Sequence, residues 1–208
     1  GSSIMPGKVN PTQCEMVTWR EVQRLSRRLA LRIREQGFRP DIIVALGRGG
    51  WVPGRLLSDY LSIPNLTEFK VEHYAGTSKQ PEARVRYPLA ADVTDQRVLV
   101  VDDVTDTGDS FAVALDHLRS RGEPREVRTL VLHHKTVSPY VPDYYGRKVV
   151  EWRWIIYPWA VTEDLTALIA ALDPLPAGAA AVAERLRQLH GLRVSSAVVR
   201  DLLTVSAS

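Results

Sequence analysis

The amino-acid sequence predicts an α/β fold built on a central parallel sheet. Two short apolar runs, one within Asp41–Gly50 and one within Val98–Ser110, contain no alternating polar residues, which is typical of strands buried on both faces. Stretches with helical apolar spacing separate the strands. Strands and helices that alternate in this way form a right-handed sheet whose ligands bind at the carboxyl ends of the strands.

The first helix is predicted from a capping pattern and an apolar stripe. Thr18 and Glu21 have the spacing of a capping box. The apolar stripe continues to Gly37 with residues three or four positions apart: Val22, Leu25, Leu29 and Ile33. The pattern therefore predicts an amphipathic helix that packs on the sheet before its first strand.

The strand that begins near Asp41 ends in glycines and an arginine, in the sequence D-I-I-V-A-L-G-R-G-G. Glycines let backbone amides approach a ligand closely, and Arg48 beside them is suited to phosphate oxygens. Trp51, Val52 and Pro53 fit the first turn of a following helix. The segment predicts either an anion-binding loop or a glycine-rich turn without a ligand.

A second strand carries two carboxylates at its end, in the sequence V-L-V-V-D-D-V-T-D-T-G-D-S. Helical apolar spacing from Phe111 to Leu118 places the turn after these carboxylates at a helix N-terminus, where unpaired N–H groups and the helix dipole favour an anion. A phosphate fits there. Because Asp102 and Asp103 would repel a phosphate, they suit the hydroxyl groups of a sugar that carries it.

These residues resemble the phosphoribosyl-pyrophosphate signature of type I phosphoribosyltransferases. The resemblance implies that Asp102 and Asp103 hold the ribose hydroxyls and that Asp106 faces the purine N7 as the catalytic proton acceptor. The residues implied to bind the 5-phosphate are Thr105, Thr107, Gly108, Asp109 and Ser110. Thr105 stands where the family often has an aliphatic residue. The alternative is a buried strand with an acidic cap before a helix.

The earlier glycine segment resembles the pyrophosphate loop of the same family. Its sequence, R-G-G-x-V-P-G-x-L-L, is similar to that of the bacterial xanthine/guanine and archaeal hypoxanthine/guanine branches. By that resemblance Arg48 and Gly49 bind substrate, and the peptide bond that enters Arg48 is cis.

A third segment, E-W-R-W-I-I-Y-P-W from Glu151 to Trp159, is rich in aromatic residues that suit stacking on a nucleobase. The resemblance to the 6-oxopurine branch implies that Trp154 and Ile155 cover the purine. Lys135, in H-H-K-T after a predicted strand over Glu126–Leu132, is implied to donate to the purine 6-oxo group. The alternative for the aromatic run is a hydrophobic edge strand packed on the core.

We expect three parts along the chain. Residues 1–15 resemble the signature loop of the class II fumarase/aspartase superfamily and are interpreted as an appended segment, because the lyase fold needs several hundred residues. Residues 16–173 are predicted to be the phosphoribosyltransferase domain, with a small hood. Residues 179–205 are predicted to be a C-terminal helical hairpin. The polar segment Glu68–Asp95 is interpreted as an active-site lid.

Composition favours a soluble, cytoplasmic protein without a membrane or nucleic-acid partner. No apolar run approaches the ~20 residues of a membrane span. The net charge of +3 comes from interspersed acids and bases rather than a basic stripe. The single cysteine, Cys14, fits a reducing compartment. His133 and His134 lack partners at metal-ligand spacing and are interpreted as strand-end residues.

The function that the resemblance implies is transfer of a phosphoribosyl group to a 6-oxopurine. Phosphoribosyl pyrophosphate and a purine base are the expected partners. Mg²⁺ is the expected cofactor, which Asp102 and Asp103 contact indirectly through the sugar or water. A homodimer or homotetramer is the expected assembly. The alternative function is a regulatory protein that keeps this fold as a sensor of phosphoribosyl pyrophosphate or nucleotide.

Overall fold

The computed structural model describes residues 13–74 and 82–206. Their contacts divide the chain into two compact units: Arg20–Glu151, and a second unit that combines the residues up to Trp19 with those from Trp152 onward. The elements are, in chain order, β1 (Cys14–Met16), α1 (Trp19–Glu35), β2 (Ile42–Gly47), α2 (Trp51–Leu61), β3 (Leu66–Tyr74), β4 (Glu82–Tyr87), β5 (Arg97–Thr105), α3 (Asp109–Arg119), β6 (Glu126–Lys135), β7 (Tyr144–Val149), β8 (Trp154–Ile156), α4 (Val161–Ala170), α5 (Ala179–His190) and α6 (Ser196–Ser206).

The first unit is built on a six-stranded sheet with the strand order β4-β3-β2-β5-β6-β7. All neighbouring strands are parallel except β3 and β4. Every residue of β2 is buried, and Val98–Val101 of β5 have no exposed surface. The predicted α/β fold with a central parallel sheet is therefore confirmed. The two apolar runs without alternating polar residues form β2 and β5, the central strands of the sheet.

An ion pair fixes the amino ends of β2 and β5. The carboxylate of Asp41 accepts hydrogen bonds from the backbone N–H of Arg97 at 2.8 Å and from its guanidinium at 2.7 and 3.0 Å. From there the strands run in register, with Ile42 opposite Val98. Because β2, β5 and β6 are parallel, their carboxyl ends lie at the same edge of the sheet. The loops that carry the predicted site residues follow at that edge.

The strands on both sides of β2 and β5 differ from those expected from the sequence. Glu68–Asp95, expected to be a long loop, instead contains most of β3 and all of β4, an antiparallel pair with a register irregularity at Lys70 and Val71. Its residues 75–81 lie outside the described residues, and the interpretation as a lid stays a prediction. β6 continues to Lys135, and β7 was not predicted.

The second unit pairs β1 with β8 in parallel and packs them with three helices. α5 and α6 lie in the region predicted as a C-terminal helical hairpin, residues 179–205. Cys14 and Glu15 were predicted to belong to the appended segment, yet they pair with β8; residues 1–12 of that segment lie outside the described residues. The buried core of the unit consists of Trp154, Ile156, Leu165, Leu168, Ile169, Leu172, Val182, Leu186, Leu192, Val199 and Leu202. None of the described helices is long and apolar enough to cross a membrane.

Candidate active site

Two adjacent carboxylates lie near the end of β5. Asp103 is buried and Asp102 is half-buried, and the backbone N–H of Asp103 donates a hydrogen bond to Oδ1 of Asp102 at 2.9 Å. Burial raises the pKa of the Asp102 carboxyl far above its ordinary value, and the charge of Asp103 adds to the rise. Buried carboxylates are costly unless they accept hydrogen bonds. The pair is therefore suited to the hydroxyl groups of a ligand.

The loop between β2 and α2 lies directly against these carboxylates. A Cβ atom at Gly49 would be 2.6 Å from the carboxyl of Asp103, and one at Gly50 would be 2.2 Å from the carbonyl oxygen of Val101. Both distances exclude a side chain, so glycine permits the approach. The peptide bond between Gly47 and Arg48 is cis, as the resemblance implies. The structure thus brings the Arg48–Gly49 segment together with the acidic pair.

The turn after β5 ends at the N-terminus of α3. Gly108 has a φ of 86°, a left-handed conformation that favours glycine, and α3 begins at Asp109. The first amides of a helix have no acceptor within the helix, so the first turn of α3, which contains Asp109 and Ser110, suits an anion. The hydroxyl of Thr107 donates to the Asp109 carboxylate at 2.7 Å. These residues form the turn that the sequence predicts for a phosphate.

The loop after β6 holds this turn in place, which the sequence did not predict. A Cβ atom at Gly108 would be 2.6 Å from Cβ of Tyr140. The Tyr140 ring stacks on Phe111 with centroids 5.1 Å apart and an interplanar angle of 7°. Its hydroxyl donates to Oγ1 of Thr129 at 3.0 Å. Tyr140 belongs to no sequence motif. Its role in supporting the turn at Gly108 follows only from the contact between the two loops.

A buried lysine and an aspartate face each other across the ends of β5 and β6. The ammonium of Lys135 lies 3.2 Å from Oδ2 of Asp106. The side chain of Lys135 is 4% exposed and that of Asp106 is 27% exposed, so the carboxylate is the more open partner. A strong acceptor, Asp106, thus follows Asp103 by three residues and faces a strong donor, Lys135, at the end of β6. The structure brings these two predicted residues together.

The side chain of Thr105 lies in the interior of the sheet. Its side chain is buried, and Oγ1 lies 2.8 Å from Nδ1 of His134. Because the hydroxyl is engaged inside the sheet, it does not reach the turn that follows. Any contact of Thr105 with a phosphate would therefore be made by its backbone, and the phosphate-binding roles of Thr105, Thr107 and Ser110 stay predictions.

Trp154 and Ile155 belong to the second unit, where they form part of β8. Both are 5% exposed. The Trp154 ring lies in the hydrophobic core among residues such as Leu165 and Val182, and its buried Nε1 has no hydrogen-bond partner. This burial favours the alternative interpretation of the aromatic run, a strand packed on a core. A role for Trp154 or Ile155 in covering a purine stays a prediction.

The acidic pair of β5 offers two adjacent carboxylates to a divalent cation. Among the described residues there is no group of three or more histidine, cysteine or acidic side chains arranged to hold a metal. Mg²⁺ commonly keeps several waters and binds through one or two carboxylates together with substrate phosphates. Asp102 and Asp103 fit that mode of binding.

Comparison with known proteins gives a consistent result. The Phosphoribosyl transferase domain family matches residues 14–164. A xanthine-guanine phosphoribosyltransferase of Cereibacter sphaeroides is 32% identical over 149 residues, which cover 69% of this chain and 84% of that protein.

Two solved structures are also similar. A purine phosphoribosyltransferase from Pyrococcus horikoshii is 34% identical with a TM-score of 0.63, covering 70% of this chain and 93% of its own. A hypothetical protein from Neisseria gonorrhoeae with bound ppGpp is 28% identical with a TM-score of 0.63, covering 73% of this chain and 91% of its own.

The raised pKa of Asp102 makes a prediction about stability. At pH values above about 4 the unfolded chain has lost this proton while the folded protein still holds it, so the free energy of unfolding falls as pH rises toward the raised pKa. An Asp102→Asn variant lacks this dependence. We expect it to gain stability relative to wild type between about pH 5 and about pH 8, as measured by urea denaturation.

An Asp41→Asn variant is the matched control, because the pKa of Asp41 is shifted in the opposite direction from that of Asp102. Hydrogen bonds from Arg97 hold the pKa of Asp41 at about 2, so its stabilising contribution is present at neutral pH and is lost as pH falls toward that value. This variant should lose roughly 0.5–1 kcal/mol at neutral pH. An Asp102→Asn variant whose stability follows the wild-type pH profile would contradict the burial of that carboxyl.

Proposed function

Because this chain belongs to the phosphoribosyl transferase domain family, we propose that it is a purine salvage phosphoribosyltransferase. It joins a 6-oxopurine to phosphoribosyl pyrophosphate, giving a nucleoside 5′-monophosphate and pyrophosphate. The names of the Cereibacter and Pyrococcus relatives support a purine as the acceptor. The observation that carries the proposal is the pair formed by Lys135 and Asp106, 3.2 Å apart, at the sheet edge where the acidic pair ends β5.

Each part of the substrate has a chemically matching group. The amides at the start of α3 and the hydroxyls of Thr107 and Ser110 suit the 5-phosphate. The carboxylates of Asp102 and Asp103 suit the two vicinal ribose hydroxyls. Arg48 and the backbone of Gly49, directly beside Asp103, suit the pyrophosphate. The glycine loop follows β2, and the phosphate turn follows the acidic pair on the neighbouring strand β5, so two loops suited to anions lie beside the carboxylates.

The proposed chemistry at the base uses the two partners of the ion pair separately. The ammonium of Lys135 donates to the 6-oxo oxygen, and the carboxylate of Asp106 accepts the proton that the purine loses as its nitrogen attacks the ribose. In the free protein the two groups satisfy each other. A bound 6-oxopurine replaces this ion pair with one acceptor for the lysine and one donor for the aspartate.

Mg²⁺ is proposed as the cofactor because the acidic pair fits it. When bound, it would supply positive charge to the pyrophosphate that leaves. Asp102 and Asp103 would contact it through the sugar or through water. The predicted cytoplasmic location and the predicted homodimer or homotetramer remain part of the proposal.

A turnover assay tests this function directly. Protein, phosphoribosyl pyrophosphate and Mg²⁺ are incubated with hypoxanthine, guanine, xanthine, adenine, uracil or orotate, and nucleotide and pyrophosphate are measured. We expect product with at least one 6-oxopurine and no product when the divalent cation is removed by a chelator. Turnover of adenine, uracil or orotate alone would contradict the proposal.

The second candidate is a regulatory protein that binds a nucleotide at this site without turning it over. The similar Neisseria protein with bound ppGpp favours it. Calorimetric titration with ppGpp separates the candidates when it is combined with the assay. Binding of ppGpp by a protein that turns over no base would favour the sensor, whereas turnover of a 6-oxopurine would favour the enzyme whether or not ppGpp binds.

Replacement of Lys135 tests how the base is recognised. A Lys135→Met variant removes the donor to the 6-oxo group, which adenine lacks. A hydrogen bond to a charged group is worth about 1.5–3 kcal/mol, so kcat/KM for 6-oxopurines should fall about 10- to 100-fold. Arg119→Met, which removes an exposed cation on α3, is the control and should leave kcat/KM unchanged. Equal losses of 6-oxopurine and adenine binding in the Lys135 variant would show that the lysine is only structural.

Replacement of Asp106 tests the proton acceptor. An Asp106→Asn variant should lower kcat by about 10²- to 10⁴-fold while calorimetry shows nearly unchanged affinity for phosphoribosyl pyrophosphate. Asp116→Asn, on the exposed surface of α3, is the control. If Asp106 only shaped the loop, the melting temperature and the phosphate affinity would fall together. A wild-type kcat would exclude the role of proton acceptor.

A further inference from the structure

A buried polar pair lies directly behind the proposed catalytic pair. Thr105 and His134 are register partners at the ends of β5 and β6, and each is followed immediately in the chain by one partner of the Asp106–Lys135 ion pair. Thr105 is 2% exposed and His134 is 3% exposed. The proposed chemistry uses neither side chain. A hydroxyl and an imidazole in the interior of a mostly apolar sheet therefore need another explanation.

The geometry between them is that of a direct hydrogen bond. Oγ1 of Thr105 lies 2.8 Å from Nδ1 of His134. The imidazole ring also packs at a tilt against Tyr145, with centroids 5.4 Å apart. Burial and the nearby charge of Lys148 lower the pKa of His134, which favours the neutral ring, and a neutral ring pairs with the hydroxyl as one donor and one acceptor.

The hydrogen bond between Thr105 and His134 constrains the relative position of the two strand ends more narrowly than apolar packing would. Two apolar side chains would fill the space between the strand ends, but dispersion contacts are weakly directional and tolerate small shifts. A buried hydrogen bond requires a narrow range of distances and angles, and its loss leaves an unsatisfied polar group. It therefore fixes how β5 and β6 end relative to each other, one residue before Asp106 and Lys135.

We propose that Thr105 and His134 are a positioning pair whose hydrogen bond sets the distance between Asp106 and Lys135 and so the geometry of proton acceptance from the base. This role rests on the proposed function. The hydrogen bond affects the chemical step, because the residues proposed to hold the phosphate and ribose groups are different ones. Small displacements of reacting groups cost large factors in rate, so the effect is expected in kcat rather than in sugar-phosphate affinity.

The test is a double-mutant cycle with two readouts. Thr105→Val keeps the shape of the side chain and removes the hydroxyl, and His134→Phe keeps a ring against Tyr145. Thr105→Val alone leaves the imidazole without its partner, whereas the double variant leaves no buried polar group at this place, so its melting temperature should recover toward wild type. We expect kcat to fall about tenfold in each single variant and to stay low in the double variant, with affinity for phosphoribosyl pyrophosphate unchanged.

Two further variants complete the experiment. Thr105→Ser retains the hydroxyl and should restore most of kcat. His133→Phe replaces the neighbouring buried histidine, which lies instead 3.9 Å from Glu21, and should change stability without lowering kcat. Recovery of kcat together with the melting temperature in the double variant would overturn the positioning role, as would a wild-type kcat in Thr105→Val. A wild-type protein that turns over no purine would overturn the proposed function, and this role with it.

Discussion

The candidate site depends on one constraint, the parallel register of β2, β5 and β6. The strands begin in register, where the Asp41 carboxylate binds Arg97, and they therefore end at one edge of the sheet. That edge receives the glycine loop from β2, the acidic pair and phosphate turn from β5, and Lys135 from β6. A shift of one residue in the pairing of β5 with β6 would separate Asp106 from Lys135, because a strand rises about 3.3 Å per residue.

Close packing at this edge places charged groups where water is largely excluded. Gly49 contacts the Asp103 carboxyl, and Gly50 contacts the backbone of β5, so the loop covers the Asp103 carboxyl, which would otherwise be hydrated. Burial then raises the pKa of Asp102. Such a site is unfavourable in the free protein and favourable when hydroxyl groups or a cation arrive, which is the behaviour expected of a binding site rather than of a structural core.

Much of this could be predicted from the sequence because the decisive features are local. The apolar strands, the glycine turn and the acidic pair each lie within a dozen consecutive residues. Features that depend on tertiary neighbours could not be predicted. β7 has few aliphatic residues, and Tyr144 and Gly146 fit it through contacts with Phe38 and Leu25. In β3, Phe69 and Val71 lie in the buried core but alternate with charged residues, so the strand lacks an apolar run. Burial of Thr105 and of Trp154 likewise depends on which residues face them.

A crystal structure of the protein with guanosine 5′-monophosphate tests the central claim most directly. The account predicts that the phosphate oxygens lie about 3 Å from the amides of the turn before α3 and that the ribose hydroxyls bind Asp102 and Asp103. It further predicts that Lys135 leaves Asp106 to bind the purine oxygen, while the carboxylate faces N7. A nucleotide bound away from this edge, or bound there with the ion pair intact, would contradict it.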